Sequence, residues 1–131
     1  MSETLAPLAA VDAYLAFWNA HDEARQRELA SRVFAPDVRY TAPVGVLEGT
    51  EALIGFHRQF TGHMGKVDFA ARTAPDGHRD RARLQWEIRL GDGTVFAKGT
   101  DILTLDGDRI ASVTTFLDQA PEGFTPHDDQ A

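Results

Sequence analysis

A chain of 131 residues with 43% hydrophobic content is long enough to bury one ordinary core and gives no reason to expect a second domain. Twenty acids against thirteen Lys and Arg give a net charge of -7 with no basic cluster, which repels a phosphate backbone, and no apolar run approaches the roughly 20 residues of a membrane helix. Met1–Ala10 lacks the basic start and apolar core of a signal peptide, and zero cysteines exclude disulfides and thiolate chemistry, so the expectation is a cytoplasmic protein with neither nucleic acid nor membrane as partner.

From Leu5 to Ala20, Leu8, Val11, Leu15 and Trp18, with Tyr14 beside them, recur at three and four residues, which predicts a first helix. Asp22 caps a second, whose stripe is Leu29, Ala30, Val33 and Phe34 and which Pro36 stops. Val38–Ala42 alternates and ends at Pro43, as a short edge strand does, and Gly45 and Gly49 mark a loop. Thr50 is the expected cap of a third helix, with the stripe Leu53, Phe56, His57, Phe60 and Met64.

After Lys66 the period changes to two, and turn signals at Pro75-Asp76-Gly77, Gly91-Asp92-Gly93 and Asp106-Gly107-Asp108 cut the chain into four antiparallel strands. The clearest alternation sets Ala82, Leu84, Trp86, Ile88 and Leu90 against Arg81, Arg83, Gln85, Glu87 and Arg89. Gln119–Ala131 reads as a flexible tail, leaving residues 1–118 as one domain. The predicted fold class is α+β, a cone of three N-terminal helices packed on a curved antiparallel sheet (a cystatin-like α+β roll), and such a cone encloses a pocket.

The long strand Val95–Leu105 carries the chemical anomaly: Val95, Ala97, Gly99, Asp101, Leu103 and Leu105 share one face, so a single carboxylate stands in an apolar row. It has partners, stays protonated, or is turned to solvent by a bulge at Gly99. Tyr14 lies one turn before Trp18. A phenol and a neutral carboxylic acid converging in a dry pocket make two donors for one carbonyl oxygen. Tyr40, Trp18 and Trp86 are expected to line the cavity, and His57, on the third helix's apolar stripe, is a candidate base at its mouth. The histidines show no metal-ligand spacing, so no metal and no cofactor are assigned. Phe96 and Ile102 fall on the other face of the sheet, which suggests a homodimer through it.

The order of elements, together with Asp12-Ala13-Tyr14-Leu15, Asn19-Ala20-His21-Asp22, Phe34-Ala35-Pro36-Asp37-Val38, Ala42-Pro43-Val44-Gly45, Thr100-Asp101 and Asp108-Arg109-Ile110, resembles the nuclear-transport-factor-2-like superfamily, and within it ketosteroid isomerase and the SnoaL-like polyketide cyclases. The resemblance covers Leu5 to Asp118. It implies that Tyr14 and Asp101 stand where the isomerase has its oxyanion tyrosine and protonated oxyanion aspartate. It also implies that the isomerase's base aspartate is replaced by Ala42, which carries no proton. In the cyclases one aspartate serves as acid and base, so Asp101 can act alone. A limonene-epoxide-hydrolase-like activity needs an arginine at the position of Gly99, which argues against it. The function expected is an isomerase or cyclase moving a proton on an apolar carbonyl compound; the alternative is a non-catalytic ligand-binding or dimerisation module. The superfamily's habit of dimerising through the sheet agrees with the expected homodimer.

Overall fold

The computed structural model describes residues 5–43 and 45–121. Helices α1 (Leu5–Trp18), α2 (Glu23–Val33) and α3 (Thr50–Met64) stand near their predicted places. The strands are β1 (Phe34–Ala42), β2 (Gly45–Glu48), β3 (Val67–Ala71), β4 (Asp76–His78), β5 (Arg81–Leu90), β6 (Val95–Asp106) and β7 (Arg109–Gln119). They form one sheet in the order β2-β1-β7-β6-β5-β3, with β4 added to β5.

The helices and the sheet enclose the core. On β5, Ala82, Leu84, Trp86 and Ile88 are buried, and on β6 Ala97, Leu103 and Leu105 are buried with Asp101 among them. From α1 the core takes Val11, Tyr14, Phe17 and Trp18, and the aromatic rings of Phe17 and Phe34 meet edge to face at 5.0 Å. Asp22 caps α2 as expected, accepting from the Arg25 N–H at 2.9 Å. Asn19, just past α1, exchanges two hydrogen bonds with the backbone of Phe69 and so ties the helix end to β3.

Several expectations need correction. The sheet is mixed: β1 runs parallel to β7, and every other pair is antiparallel. Phe34 belongs to β1, not to the second helix, and Pro36 sits in the irregular stretch of the β1–β7 ladder between Phe34 and Arg39, where no regular ladder bond is lost. The predicted loop holds β2, which makes β2 the edge and places β1 inside the sheet. The N-cap of α3 is Gly49, at φ 89°, where a side chain would be strained, and Thr50 is the first helical residue. The remainder holds five strands, because Asp76–His78 pairs with β5 at the predicted turn. From residue 122 the expected tail, including Phe124, lies outside the described residues.

Phe96 also moves. Ile88 pairs with Ala97 and Arg89 with Val95, so Phe96 is the extra residue of a bulge, and its ring meets that of Phe60 on α3 at 5.9 Å. It therefore faces the helices. The large apolar residue left on the uncovered face is Phe116, 57% exposed, on the strand beside Ile102.

Candidate functional site

The bulges that curve the sheet decide where Asp101 points. Opposite Lys98 and Gly99 the extra residue is Asp118, on β7, so the alternation of β6 runs unbroken from Ala97 to Leu105. Asp101 keeps the inward face. It is 3% exposed and lines a cavity of about 300 Å³.

The carboxylate has two donors. The Tyr14 hydroxyl donates to Oδ2 at 2.5 Å, and the Trp86 indole Nε1–H donates to Oδ1 at 2.7 Å. Trp86 reaches it because its cross-strand partner is Gly99: a methyl group there would overlap the indole ring and stand 2.6 Å from the Phe116 carbonyl. Arg72 holds the same place from outside, donating to the carbonyls of Trp86 and Gly99 at 2.9 and 3.0 Å and to Asp118 at 2.6 Å. The sequence reading passed over Arg72, Gly99 as a packing site, and Trp86 as a donor.

Burial pushes the Asp101 carboxyl up from 3.8 to about 6, and the hydrogen bonds from Tyr14 and Trp86 pull in the opposite direction. Such an acid changes charge near neutral pH, as a general base does. Burial, and then the charge of Asp101, holds the Tyr14 phenol well above its ordinary value, so Tyr14 remains a donor. Its proton is directed at Asp101. The two groups sequence reasoning brought together are bonded to each other and not aimed jointly at one outside oxygen.

The remaining sequence-derived positions divide. Trp18, Tyr40 and Trp86 line the cavity, as does Ala42, whose methyl group offers no proton acceptor. The walls are otherwise apolar: Leu15, Phe56, Phe60, Phe69, Ile88, Phe96 and Leu117. His57 also contributes to the lining, yet both ring nitrogens are committed. Nε2 lies 2.7 Å from the Trp18 carbonyl and Nδ1 lies 2.8 Å from Gln26 Nε2. A carbonyl only accepts and an amide nitrogen only donates, so the ring is neutral with its proton on Nε2. Burial lowers its pKa, in agreement. His57 is thereby a tie between three helices and not the substitute base. Among the described residues no three His, Cys, Asp or Glu side chains are grouped to hold a metal ion. Nor, among the described residues, is any helix long and apolar enough to cross a membrane.

The sequence model of the SnoaL-like domain matches residues 11–113. This chain belongs to the SnoaL-like family. A solved structure from Agrobacterium tumefaciens, a candidate isomerase of the SnoaL-like family, is 31% identical, covers 87% of this chain and 98% of its own, and superposes with a TM-score of 0.81. A candidate ketosteroid isomerase from Kribbella flavida (20% identity, 100% and 91% coverage, TM-score 0.73) shares the fold. So does a candidate SnoaL-like polyketide cyclase from Jannaschia (15%, 88% and 87%, TM-score 0.72). No curated protein matches the sequence. The SnoaL-like membership and the three-helix, curved-sheet cone agree with the resemblance drawn from the sequence.

Proposed function

We propose that this SnoaL-like protein is an isomerase- or cyclase-type enzyme that moves a proton on an apolar carbonyl compound, with Asp101 taking the proton and returning it. One observation carries the reading: a buried carboxylate in the lining of an otherwise largely apolar cavity, with Tyr14 and Trp86 donating to its two oxygens. Those donors hold the base in place without neutralising it. In the reaction the ionised carboxylate removes a proton from the carbon next to the carbonyl. The C–H bond breaks, an O–H bond forms on Asp101, and the electron pair moves through the new C=C bond onto the carbonyl oxygen. Where the compound carries a further C=C bond conjugated with the enolate, return of the proton to the far carbon of that bond shifts the double bond and isomerises it. Attack of the enolate on a second carbonyl of the same molecule closes a ring, and Asp101 then protonates the new alkoxide.

Exchange with solvent deuterium tests this directly. Beta-tetralone, a flat bicyclic ketone that fits the cavity, is incubated with the protein in deuterium oxide and followed by proton NMR. The expected result is exchange faster than in buffer, with a rate that rises as pH passes about 6 and then levels, since only ionised Asp101 accepts a proton. A second reading, a module that binds without catalysis, rests on Ala42 facing the pocket. Binding seen by tryptophan fluorescence without any acceleration of exchange would favour it.

The proposal extends to assembly. The face of the sheet away from the helices exposes Phe116 beside Ile102 and the hydroxyls of Thr100 and Thr114, a surface suited to a second copy of the chain. Light scattering at micromolar concentration is expected to give twice the chain mass, and a Phe116→Glu variant the mass of one chain. A monomeric wild-type protein would remove the dimer.

A further inference from the structure

With the Tyr14 proton directed at Asp101, the site needs another donor if it is to stabilise charge on a substrate oxygen. Tyr40 is placed to be that donor. It lies two residues before Ala42 on β1, lines the cavity, and is 8% exposed. The Thr115 hydroxyl on β7 lies near both Tyr40 and Asp101, and neither it nor the Tyr40 hydroxyl makes a hydrogen bond of normal length and angle to a described residue. The Tyr40 hydroxyl is not among the buried unsatisfied atoms and Tyr40 lines the cavity, so a bound molecule can accept its proton. Burial, and then the charge of Asp101, hold the Tyr40 phenol above its ordinary value, so it donates and does not ionise.

The ladder sets the distances. Asp101 is opposite Thr115 across β6–β7, and Tyr40 is opposite Val113 across β7–β1. Two strand spacings and a two-residue offset along β7, roughly 12 Å, therefore separate the two backbone positions. Both side chains line the same cavity, so one ligand can touch both.

Resting on the proton-transfer reading above, we infer that Tyr40 is a catalytic residue: its hydroxyl holds the substrate's carbonyl oxygen on the β1 side of the cavity, so that the carbon to be deprotonated lies over Asp101. Oxygen and base then occupy opposite sides of β7. As Asp101 gains its proton, the negative charge passes to the oxygen that Tyr40 already contacts, and Tyr40 keeps its own proton throughout. The ligand class follows: a flat apolar ketone or aldehyde with an enolisable position one bond from the carbonyl.

The test is a matched pair of probes, beta-tetralone and tetralin, which share a frame and differ by a carbonyl in place of a methylene. Binding is read by quenching of tryptophan fluorescence. Wild-type protein is expected to prefer the ketone by about tenfold, a ratio equivalent to about 1.4 kcal/mol, and Tyr40→Phe to bring the two affinities level. The infrared carbonyl band of bound beta-tetralone, which needs no variant, is expected at lower frequency than in hydrocarbon solvent. An unchanged preference in Tyr40→Phe, a preference lost in Tyr14→Phe but kept in Tyr40→Phe, or a hydrocarbon-like band in the wild type would each overturn the assignment. Binding preference involves no proton transfer. A protein that exchanges no deuterium but prefers the ketone through Tyr40 loses the enzyme reading and keeps Tyr40 as the oxygen-binding group; one that exchanges deuterium with an unaltered ratio in Tyr40→Phe does the reverse.

Discussion

An Asp101→Asn variant is expected to fold, to lose deuterium exchange into beta-tetralone by about a hundredfold or more, and to lose a pH dependence of stability that the wild type carries. Folding is expected because the amide fits the same partners. Trp86 Nε1–H still has an oxygen to donate to, and the new N–H₂ can donate to the Tyr14 oxygen once that hydroxyl turns. Exchange is lost because the amide has no proton-accepting group of useful basicity. The stability effect has a definite sign. Asp101 binds its proton more tightly in the folded protein, at about 6, than in the unfolded chain, at 3.8. Between those values the native state holds more protons, so stability falls as pH rises through that window. The gap corresponds to about 3 kcal/mol. Exposed Asp76 and Asp92, both held low, titrate in the opposite sense, as does His57. The measurement is therefore the difference between wild type and variant in urea unfolding at a series of pH values. A flat difference would mean that Asp101 ionises as freely as in an unfolded chain, and the base assignment would fail with it.

How far the site could be seen in advance depended on the range of the interactions involved. Asp101 was visible because alternation is local: one carboxylate among Ala97, Gly99, Leu103 and Leu105 needs no knowledge of the rest of the fold. The same holds for Trp86. The direction of the Tyr14 hydroxyl was invisible, since 87 residues separate it from Asp101 and its choice between carboxylate and ligand depends on how closely α1 approaches β6. The parallel pairing of β1 with β7 has no local signature either, because it joins the first strand to the last. Phe96 went to the wrong face because its bulge is set by how β6 registers with β5, where one extra residue reverses the side-chain direction. Gln26 was a missed opportunity. It shares the helical period of Leu29, Ala30 and Val33, and a glutamine on an apolar stripe signals a buried polar contact.

That contact supports the second large effect, which falls on stability and not on chemistry. Trp18 is the last residue of α1, so its carbonyl is one of the groups that a helix end leaves without an internal partner, and His57 Nε2–H supplies one. On the other side of the ring, Nδ1 accepts from Gln26, which is 0% exposed and whose Oε1 accepts from Arg58 at 3.3 Å. One imidazole thus joins the ends and middles of three helices. His57→Phe preserves a flat ring but leaves the Trp18 carbonyl without its partner and the Gln26 N–H₂ with only the Phe17 carbonyl, at 3.4 Å. One buried group left unsatisfied and a second left half-satisfied are expected to cost about 2–4 kcal/mol, a large share of the roughly 5–15 kcal/mol that holds such a domain together. The urea midpoint falls accordingly, with little change in slope if the cause is the native contact. Adding Gln26→Leu to His57→Phe should recover part of the loss, because removing both partners of the His57–Gln26 bond leaves only the Trp18 carbonyl unpaired. Costs that simply add, or a His57→Phe variant as stable as the wild type, would show that the imidazole fills space without tying the helices, and would reopen His57 as a candidate base.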